Sequence, residues 1–597
     1  MSTFNQASLG KWTRRQSLQL GAATSAAGLL GVQELASPTQ AGDLPAGPRT
    51  VPFVDWLKVY EAKQPVSELN PASSQNPNLN GGECGRPPHQ RRNDWPANKF
   101  YTLKVKEGQH QFHRDLPWQT IWGYDGILPG PTFVERYGVP VIVRISNELP
   151  DNAMGYGSPE ITTHLHNLHC GSESDGFTGD YYSRAKFGPT LTASGSYKDH
   201  HYPNCYAGYD DLRYHDTDGD PREALGTLWY HDHREDFTAP NVYRGLAGFY
   251  LLFDDIDSGD ENDPNRYDPN RNPPDLTKRA LCLPSGVGKY DIPLVFNDKQ
   301  FDSSGYLVFD QFATKGILGN KFCVNGTIQP RFAVERRKYR FRLLDGGPSR
   351  FYEFYLTDGN GRNQSFTYIA NDGNLIPAPL TTSKVHLGVA ERADIVIDFS
   401  QYAMGTKLYL VNRLVQVDGR GPEDATINTR GPDGLLTTTG TQIMRFDVGD
   451  VPARPDMSQV PAKLRELPPI NLAEVVKTRT FRFDKLNEVW TVNSKIFDVE
   501  LSVASPKRGT AEIWVLKGNG NWHHPVHIHF EEGRILTRNG KPPPPHEQGR
   551  KDVYVLEPGE EVRVFIRFRD FLGKYMMHCH NTVHEDHAMM IRWEIVE

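Results

Sequence analysis

His578-Cys579-His580-Asn581-Thr582-Val583-His584-Glu585-Asp586-His587-Ala588-Met589, close to the end of a 597-residue chain, is the stretch on which the reading turns. A thiolate, imidazoles and a thioether form a soft, mixed donor set that suits copper better than zinc or iron. One cysteine, two histidines and a weak methionine is the donor list of a blue-copper electron-transfer centre. Cys579, His584 and Met589 supply three of those four, so one histidine has to come from elsewhere. The neighbours of the cysteine add a second fact. Alternate side chains of an extended segment point to opposite faces. Cys579 is therefore expected to face one way, and His578 and His580 the other. One strand end then holds a blue copper on one side and touches a second metal site on the other.

Three further groups carry imidazoles at matching spacing. His524-Pro525-Val526-His527-Ile528-His529 lies about fifty residues upstream, and His164-Leu165-His166 and His231-Asp232-His233 lie far upstream. Each His-x-His pair puts both rings on one face of an extended segment. A lone pair of this kind is usually two ordinary histidines. Four groups in one chain, one with Cys579, His584 and Met589 at fixed offsets, point to metal instead. The His-Pro-x-His-x-His and Cys-x4-His-x4-Met spacings select His524 and His584 over the adjacent His523 and His587. His169, His200, His201 and His215 fit no group and read as loop histidines.

All four groups resemble the copper signatures of the multicopper oxidases. The local wording is similar to that of the bacterial spore-coat laccases and the bilirubin oxidases, notably in Leu228-Trp229-Tyr230-His231-Asp232-His233, Asn241-Val242-Tyr243-Arg244-Gly245-Leu246 and His584 to Met590. The resemblance runs over roughly residues 95 to 597. It implies an all-β chain of three cupredoxin-like Greek-key β-sandwich domains. It also implies four copper ions: one type 1, one type 2 and two type 3.

Read in order, residues 1–41 are expected to be a twin-arginine-type export signal. Thr13-Arg14-Arg15-Gln16-Ser17-Leu18 precedes a weakly apolar run too short and too rich in Gly, Ala and Ser to span a membrane. The mature protein is accordingly expected in the periplasm or outside the cell. Later stretches contain no run of eighteen apolar residues, so no membrane span is expected. Residues 42–94 read as an extended arm rich in Pro, Asn and Gly. Domains follow at 95–255, 276–450 and 470–597, separated by a polar connector at 256–275 and a proline-bearing linker at 451–469. A repeated strand plan supports this division. The segments 100–105 and 140–147 are followed by 339–344 and 511–516, and 393–399 parallels 562–568. Many short strands with Gly/Pro turns argue for β-sandwiches. The acidic stretches 254–274 and 216–220 lack the bidentate glutamate of a complete calcium loop.

A net charge of -7 without long basic runs argues against nucleic acid as a partner. Of six cysteines, copper claims Cys579, and the remaining five cannot all pair. Cys170 with Cys205, or Cys282 with Cys323, are the pairings open to an exported protein. The oligomeric state is not readable from the chain.

The resemblance, carried over position by position, implies a ligand map. The type 1 copper takes His524, Cys579 and His584, with Met589 axial. The type 2 copper takes His164 and His527. One type 3 copper takes His166, His231 and His580, and the other takes His233, His529 and His578. Asp175 and Glu585 match acids that the spore-coat laccases place beside the trinuclear cluster, where they would supply protons. The implied partners are a small aromatic reductant and O2, with phenols and aromatic amines giving up one electron at a time and O2 reduced to water. Electrons are expected to enter at an exposed edge of His524 or His584, with Trp522, Glu531 and Glu532 as weak candidates for the donor side.

Three departures from the family stand out. Asn167 replaces the usual glycine after the first His-x-His, the stretch from His166 to His231 is long, and the loop after His529 is short. The alternatives are an oxidase of Mn(II), Fe(II) or Cu(I), or a copper or electron carrier without turnover. Nine methionines and no Met-rich segment argue against the cuprous version. The extra histidines argue against a carrier.

Overall fold

The computed structural model describes residues 47–152, 155–178, 191–268, 279–423, 429–430, 436–437 and 440–597. The expected export signal, with Arg14 and Arg15, lies outside them. So does the end of the 256–275 connector.

The alternating segments form strands, each extending somewhat beyond its most periodic part. The first is Lys99–His110, whose side chains alternate between buried and partly exposed over its first half. It pairs in parallel with Val141–Asn147, which pairs antiparallel with Tyr197–Tyr202. The same wiring recurs twice. Asp291–Phe301 runs parallel to Lys338–Asp345, which pairs antiparallel with Arg392–Asp398. Val475–Leu486 runs parallel to Thr510–Gly518, which pairs antiparallel with Glu561–Phe568.

A second sheet accompanies each of these, and each contains one parallel pair. The pairs are Gly130–Arg136 with Ala247–Phe253, Arg331–Val334 with Thr441–Val448, and Ser502–Ala504 with Met590–Ile595. The fold is thus three sheet pairs in series, a predominantly β architecture of cupredoxin-like sandwiches.

Each sandwich has its own apolar core. Tyr101, Val143, Leu228 and Tyr250 belong to the first, Ile292, Phe341, Ile395 and Phe446 to the second, and Trp514, Val564, Tyr575 and Trp593 to the third. In the third, Trp514 meets Trp593 edge to face at 5.3 Å. Truncating such a buried ring to alanine costs about 3–5 kcal/mol. Residues 47–98 touch the sheets through isolated bridges, Trp56 to Arg331, Ala62 to Thr132, Val66 to Phe100 and Glu83 to Tyr197. Among the described residues, no helix is long and apolar enough to cross a membrane.

Candidate metal centre

Two strand pairs position the donors. Thr163–His166 carries His164 and His166 and lies antiparallel to Thr227–Asp232, with His164 opposite His231. His524–Ile528 carries His524 and His527 and lies antiparallel to Gly573–Cys579, with Val526 opposite Cys579 and His527 opposite His578. His233, His529 and His580 each follow directly on the end of one of these strands. Residues two apart share a face and residues three apart do not. His527 and His529 accordingly turn toward the first strand pair, while His524 turns toward Cys579.

The result is a set of buried triads. The ligand atoms of His166, His231 and His580 lie within 4.8 Å of one another, as do those of His233, His529 and His578, and those of His524, Cys579 and His584. His164 joins the first strand pair to the second, its Nε2 lying 3.4 Å from Nε2 of His527. The ligand atoms of His164, His166 and His527, and those of His164, Asp175 and His529, also lie within 4.8 Å of one another.

The electrostatics favour cation binding. Burial pushes the imidazoles of His164, His166, His231, His233, His527, His529 and His580 down, which leaves each ring neutral with a free lone pair. The outward nitrogens are held. Nδ1 of His231 contacts the Asp232 carbonyl at 2.8 Å, Nδ1 of His527 the Asp552 carbonyl at 3.0 Å, and Nδ1 of His529 the Asp175 carboxylate at 2.8 Å. Each contact leaves Nε2 turned inward. His166 is reversed: its Nε2 contacts Oδ1 of Asp552 at 3.0 Å, so Nδ1 is the atom it offers.

The inward atoms lack other partners. Among the described residues, Nδ1 of His166, Nε2 of His231 and both ring nitrogens of His580 are buried without a hydrogen bond. Native proteins rarely leave such atoms orphaned unless an ion or water serves them. The spacings fit an ion. Two nitrogens at ordinary metal distance and tetrahedral angle are about 3.3 Å apart. Nε2 of His578 lies 3.1 Å from Nε2 of both His233 and His529.

Across the strand, Sγ of Cys579 is 3.5 Å from Nδ1 of His524 and 3.6 Å from Nδ1 of His584. A sulfur and a nitrogen sharing one tetrahedral ion would be about 3.5 Å apart. Burial pushes the Cys579 thiol up, so only a cation in this pocket would hold it as the thiolate. Met589 is buried in the same apolar cluster, and its carbonyl accepts from the Cys579 N–H. The donor set fits copper.

The surroundings of this pocket differ from expectation. His524 and His584 are both fully buried rather than exposed at an edge. Trp490 stacks on His584 with ring centroids 3.8 Å apart, Trp522 meets it edge-on at 5.5 Å, and Nε2 of His584 donates to the Lys315 carbonyl. Trp522, half-buried, does lie on this side. Glu531 and Glu532 do not: both are buried, Glu531 beside Arg569 and Glu532 beside Arg550. Both lie beyond the end of the strand at Ile528, where these arginines pair with them. A metal-ion oxidase reading thereby loses its nearest candidate carboxylates.

Asp175 and Glu585 both reach the histidines. Asp175 ends the short helix Ser172–Asp175, with Oδ2 2.8 Å from Nδ1 of His529 and Oδ1 3.6 Å from Nδ1 of His164. Glu585, in the helix Thr582–Asp586, lies 2.9 Å from Nδ1 of His578 and 3.4 Å from Nδ1 of His233. Burial pushes Asp175 well up. Burial also pushes Glu585 up, but the imidazoles of His578 and His233 overcome it and hold the carboxyl low.

Two acids escaped the sequence reading. Asp232 sits inside the His231-Asp232-His233 motif, where burial pushes it up to about 7 against hydrogen bonds from Asn241 and the Thr162 N–H. Its place between two histidines was the available signal. Asp552, 23 residues beyond His529, gave none.

Several other expectations are corrected. His200 and His201 lie on the buried strand Tyr197–Tyr202, not in a loop. His169 does lie in a loop, buried against Asp570, whereas His215 lies exposed in the 3-10 helix Leu212–Thr217. Cys170, Cys205, Cys282 and Cys323 form no disulfide; Cys170 and Cys205 belong to the cores of different sandwiches. In the acidic connector, Asp254 and Asp257 are satisfied by Arg465 and Arg340. Asn167 has φ of 70°, a left-handed conformation in which asparagine is the best substitute for glycine.

Comparison with known proteins gives a consistent picture. The sequence profile of the family described as "Multicopper oxidase" matches residues 469–597. The chain is 36% identical to a bilirubin oxidase of Albifimbria verrucaria over 502 residues, which is 82% of this chain and 75% of that protein. It is 29% identical to a laccase of Bacillus subtilis (strain 168), covering 83% of this chain and 94% of the relative. Among solved structures, a laccase from Pediococcus acidilactici superposes with a TM-score of 0.67 at 23% identity, covering 93% of this chain and 95% of that one. The McoA multicopper oxidase of Aquifex aeolicus superposes with a TM-score of 0.65 at 24% identity, covering 84% and 97%. With the triads, the sandwiches and this degree of identity together, the chain belongs to the multicopper oxidase family.

Proposed function

We propose that this oxidase takes single electrons from phenols or aromatic amines and reduces O2 to water. His524, Cys579 and His584, with Met589, would hold a type 1 copper, and His164 with His527 a type 2 copper. His166, His231 and His580, and His233, His529 and His578, would hold the type 3 pair. When bound, these four ions supply one-electron acceptance from the donor and the pooled electrons that O2 reduction requires.

The chain's own residues set the rest. Cys579 is one peptide from both His578 and His580, so a short covalent path joins the two sites. Trp490, stacked on His584, shields the imidazole from water, and half-buried Trp522 beside it is the aromatic ring nearest solvent that a flat donor could meet. Asp175 stores a proton at Oδ1, which lacks a hydrogen-bond partner among the described residues. Glu585 stays ionised beside His578 and His233 and passes protons inward. Relatives named laccase and bilirubin oxidase support the choice of an aromatic donor.

The observation that carries this reading is the register at one strand end, with Val526 opposite Cys579 and His527 opposite His578. It sets the sulfur and the cluster histidines on opposite faces. The test is copper-loaded protein supplied with a phenol, with oxygen uptake and phenoxyl formation counted together. Four donors consumed per O2 and no peroxide released is the expected result. Two donors per O2 with peroxide accumulating would refute it.

A further inference from the structure

Arg392 lies on the strand Arg392–Asp398 of the middle sandwich, which contributes no histidine to the centre. It is fully buried and uses all five of its N–H donors. Nη1 and Nη2 grip the two oxygens of Asp552 at 2.7 and 2.5 Å. The remaining donors go to the carbonyls of Ala390 at 3.2 Å, Asp372 at 2.9 Å and Thr227 at 3.2 Å. Thr227 belongs to the first sandwich, Asp372 and Ala390 to the second, and Asp552 to the third. One guanidinium therefore ties all three together, and it cannot rotate without breaking several bonds.

What it grips is the group that orients two cluster histidines. Oδ1 of Asp552 contacts Nε2 of His166 at 3.0 Å, and its carbonyl accepts from Nδ1 of His527 at 3.0 Å. The Asp552 contact is what turns His166 around so that it offers Nδ1, unlike His231, His527 and His529. A carboxylate clamped at both oxygens by a planar fork has a fixed plane. An unclamped one rotates, and the His166 ring is then free to present the wrong nitrogen.

We infer that Arg392 is a positioning residue for the trinuclear histidines, acting through Asp552 to hold His166 in its reversed orientation. The inference rests on the copper assignment above. Outer partners of ligating histidines change metal affinity by about 10–100-fold when removed. Arg392→Met should therefore weaken trinuclear copper retention by about that factor in a chelator titration. The near-ultraviolet band of the coupled pair should fade with it, and the blue band should remain. Arg392→Lys, which keeps the charge but not the fork, should lie between Arg392→Met and wild type. Asp552→Asn should resemble Arg392→Met, and the double variant should be no worse than the weaker single one, because both act on one link.

Wild-type copper retention and an unchanged pair spectrum in Arg392→Met and Arg392→Lys would overturn the inference, as would additive losses in the double variant. If Arg392→Met loses the blue band as well, Arg392→Lys decides. A weakened cluster beside an intact blue band supports the proposal, and an unaltered cluster refutes it. Wild-type protein that takes up fewer than four coppers would instead defeat the copper assignment and this inference with it.

Discussion

Asp175 and Glu585 are both buried carboxyls in contact with imidazoles, yet their surroundings push them apart: burial raises Asp175, and two histidines lower Glu585. In the proposed reaction, such a split would make Asp175 the proton holder and Glu585 the ionised relay. Asp175→Asn and Glu585→Gln keep each shape and remove the acid. Oxygen reduction should slow by about ten- to a thousandfold in either variant, while reduction of the blue site by a phenol stays nearly unchanged. Stopped-flow measurement separates the two half-reactions, and equal slowing of both would indicate a damaged fold instead. At this scale the sequence was legible wherever chemistry repeats at fixed spacing, as in Cys579, His584 and Met589. Asp552 and Arg392 carry no such spacing. Their roles come from a contact between sandwiches 160 residues apart in the chain, which no local pattern announces.

Elements were readable by alternation and their partners were not. The periodic segments at 339–344 and 562–568 mark the strands Lys338–Asp345 and Glu561–Phe568 closely. The parallel pairings that close each sandwich depend on distant strands and leave no local trace. The burial of His584 under Trp490 was hidden for the same reason, since Trp490 lies on the distant strand Val489–Val492. A clasp between elements gives a pH prediction. Glu223, at the end of the 3-10 helix Pro221–Glu223, receives Arg569 through Nη1 at 2.9 Å and Nη2 at 2.6 Å. Burial raises its carboxyl, but Arg569 and Arg550 outweigh this and hold it down at about 2. A carboxyl lowered in the folded state adds stability that is complete above its unfolded value of about 4.3 and is lost as pH falls toward 2. Glu223→Gln should cost about 3 kcal/mol at neutral pH, with the difference from wild type shrinking between about pH 4.5 and 2. Denaturant melts across that window measure it, and a pH-independent difference would contradict the clasp.

The described residues form three sandwiches that share one central strand wiring, with the donors on the first and third and Arg392 of the second reaching both. An ion held by His166, His231 and His580 would bridge the first sandwich to the third, so copper should act as a cross-link as well as a cofactor. Ligand at a thousandfold its dissociation constant stabilises the folded state by about 4 kcal/mol per site. Copper-loaded protein should therefore melt well above the copper-free form in calorimetry, and the gain should shrink in Arg392→Met. Unchanged melting on removal of copper would place the donors elsewhere. The central claim is that Cys579 joins two copper sites across one strand end, and Cys579→Ser tests it most directly when copper content and absorption are measured on the same sample. Three coppers per chain, no blue band, a retained coupled-pair signal and no turnover is the predicted result; a surviving blue band, or turnover of the phenol at the wild-type rate, would contradict it.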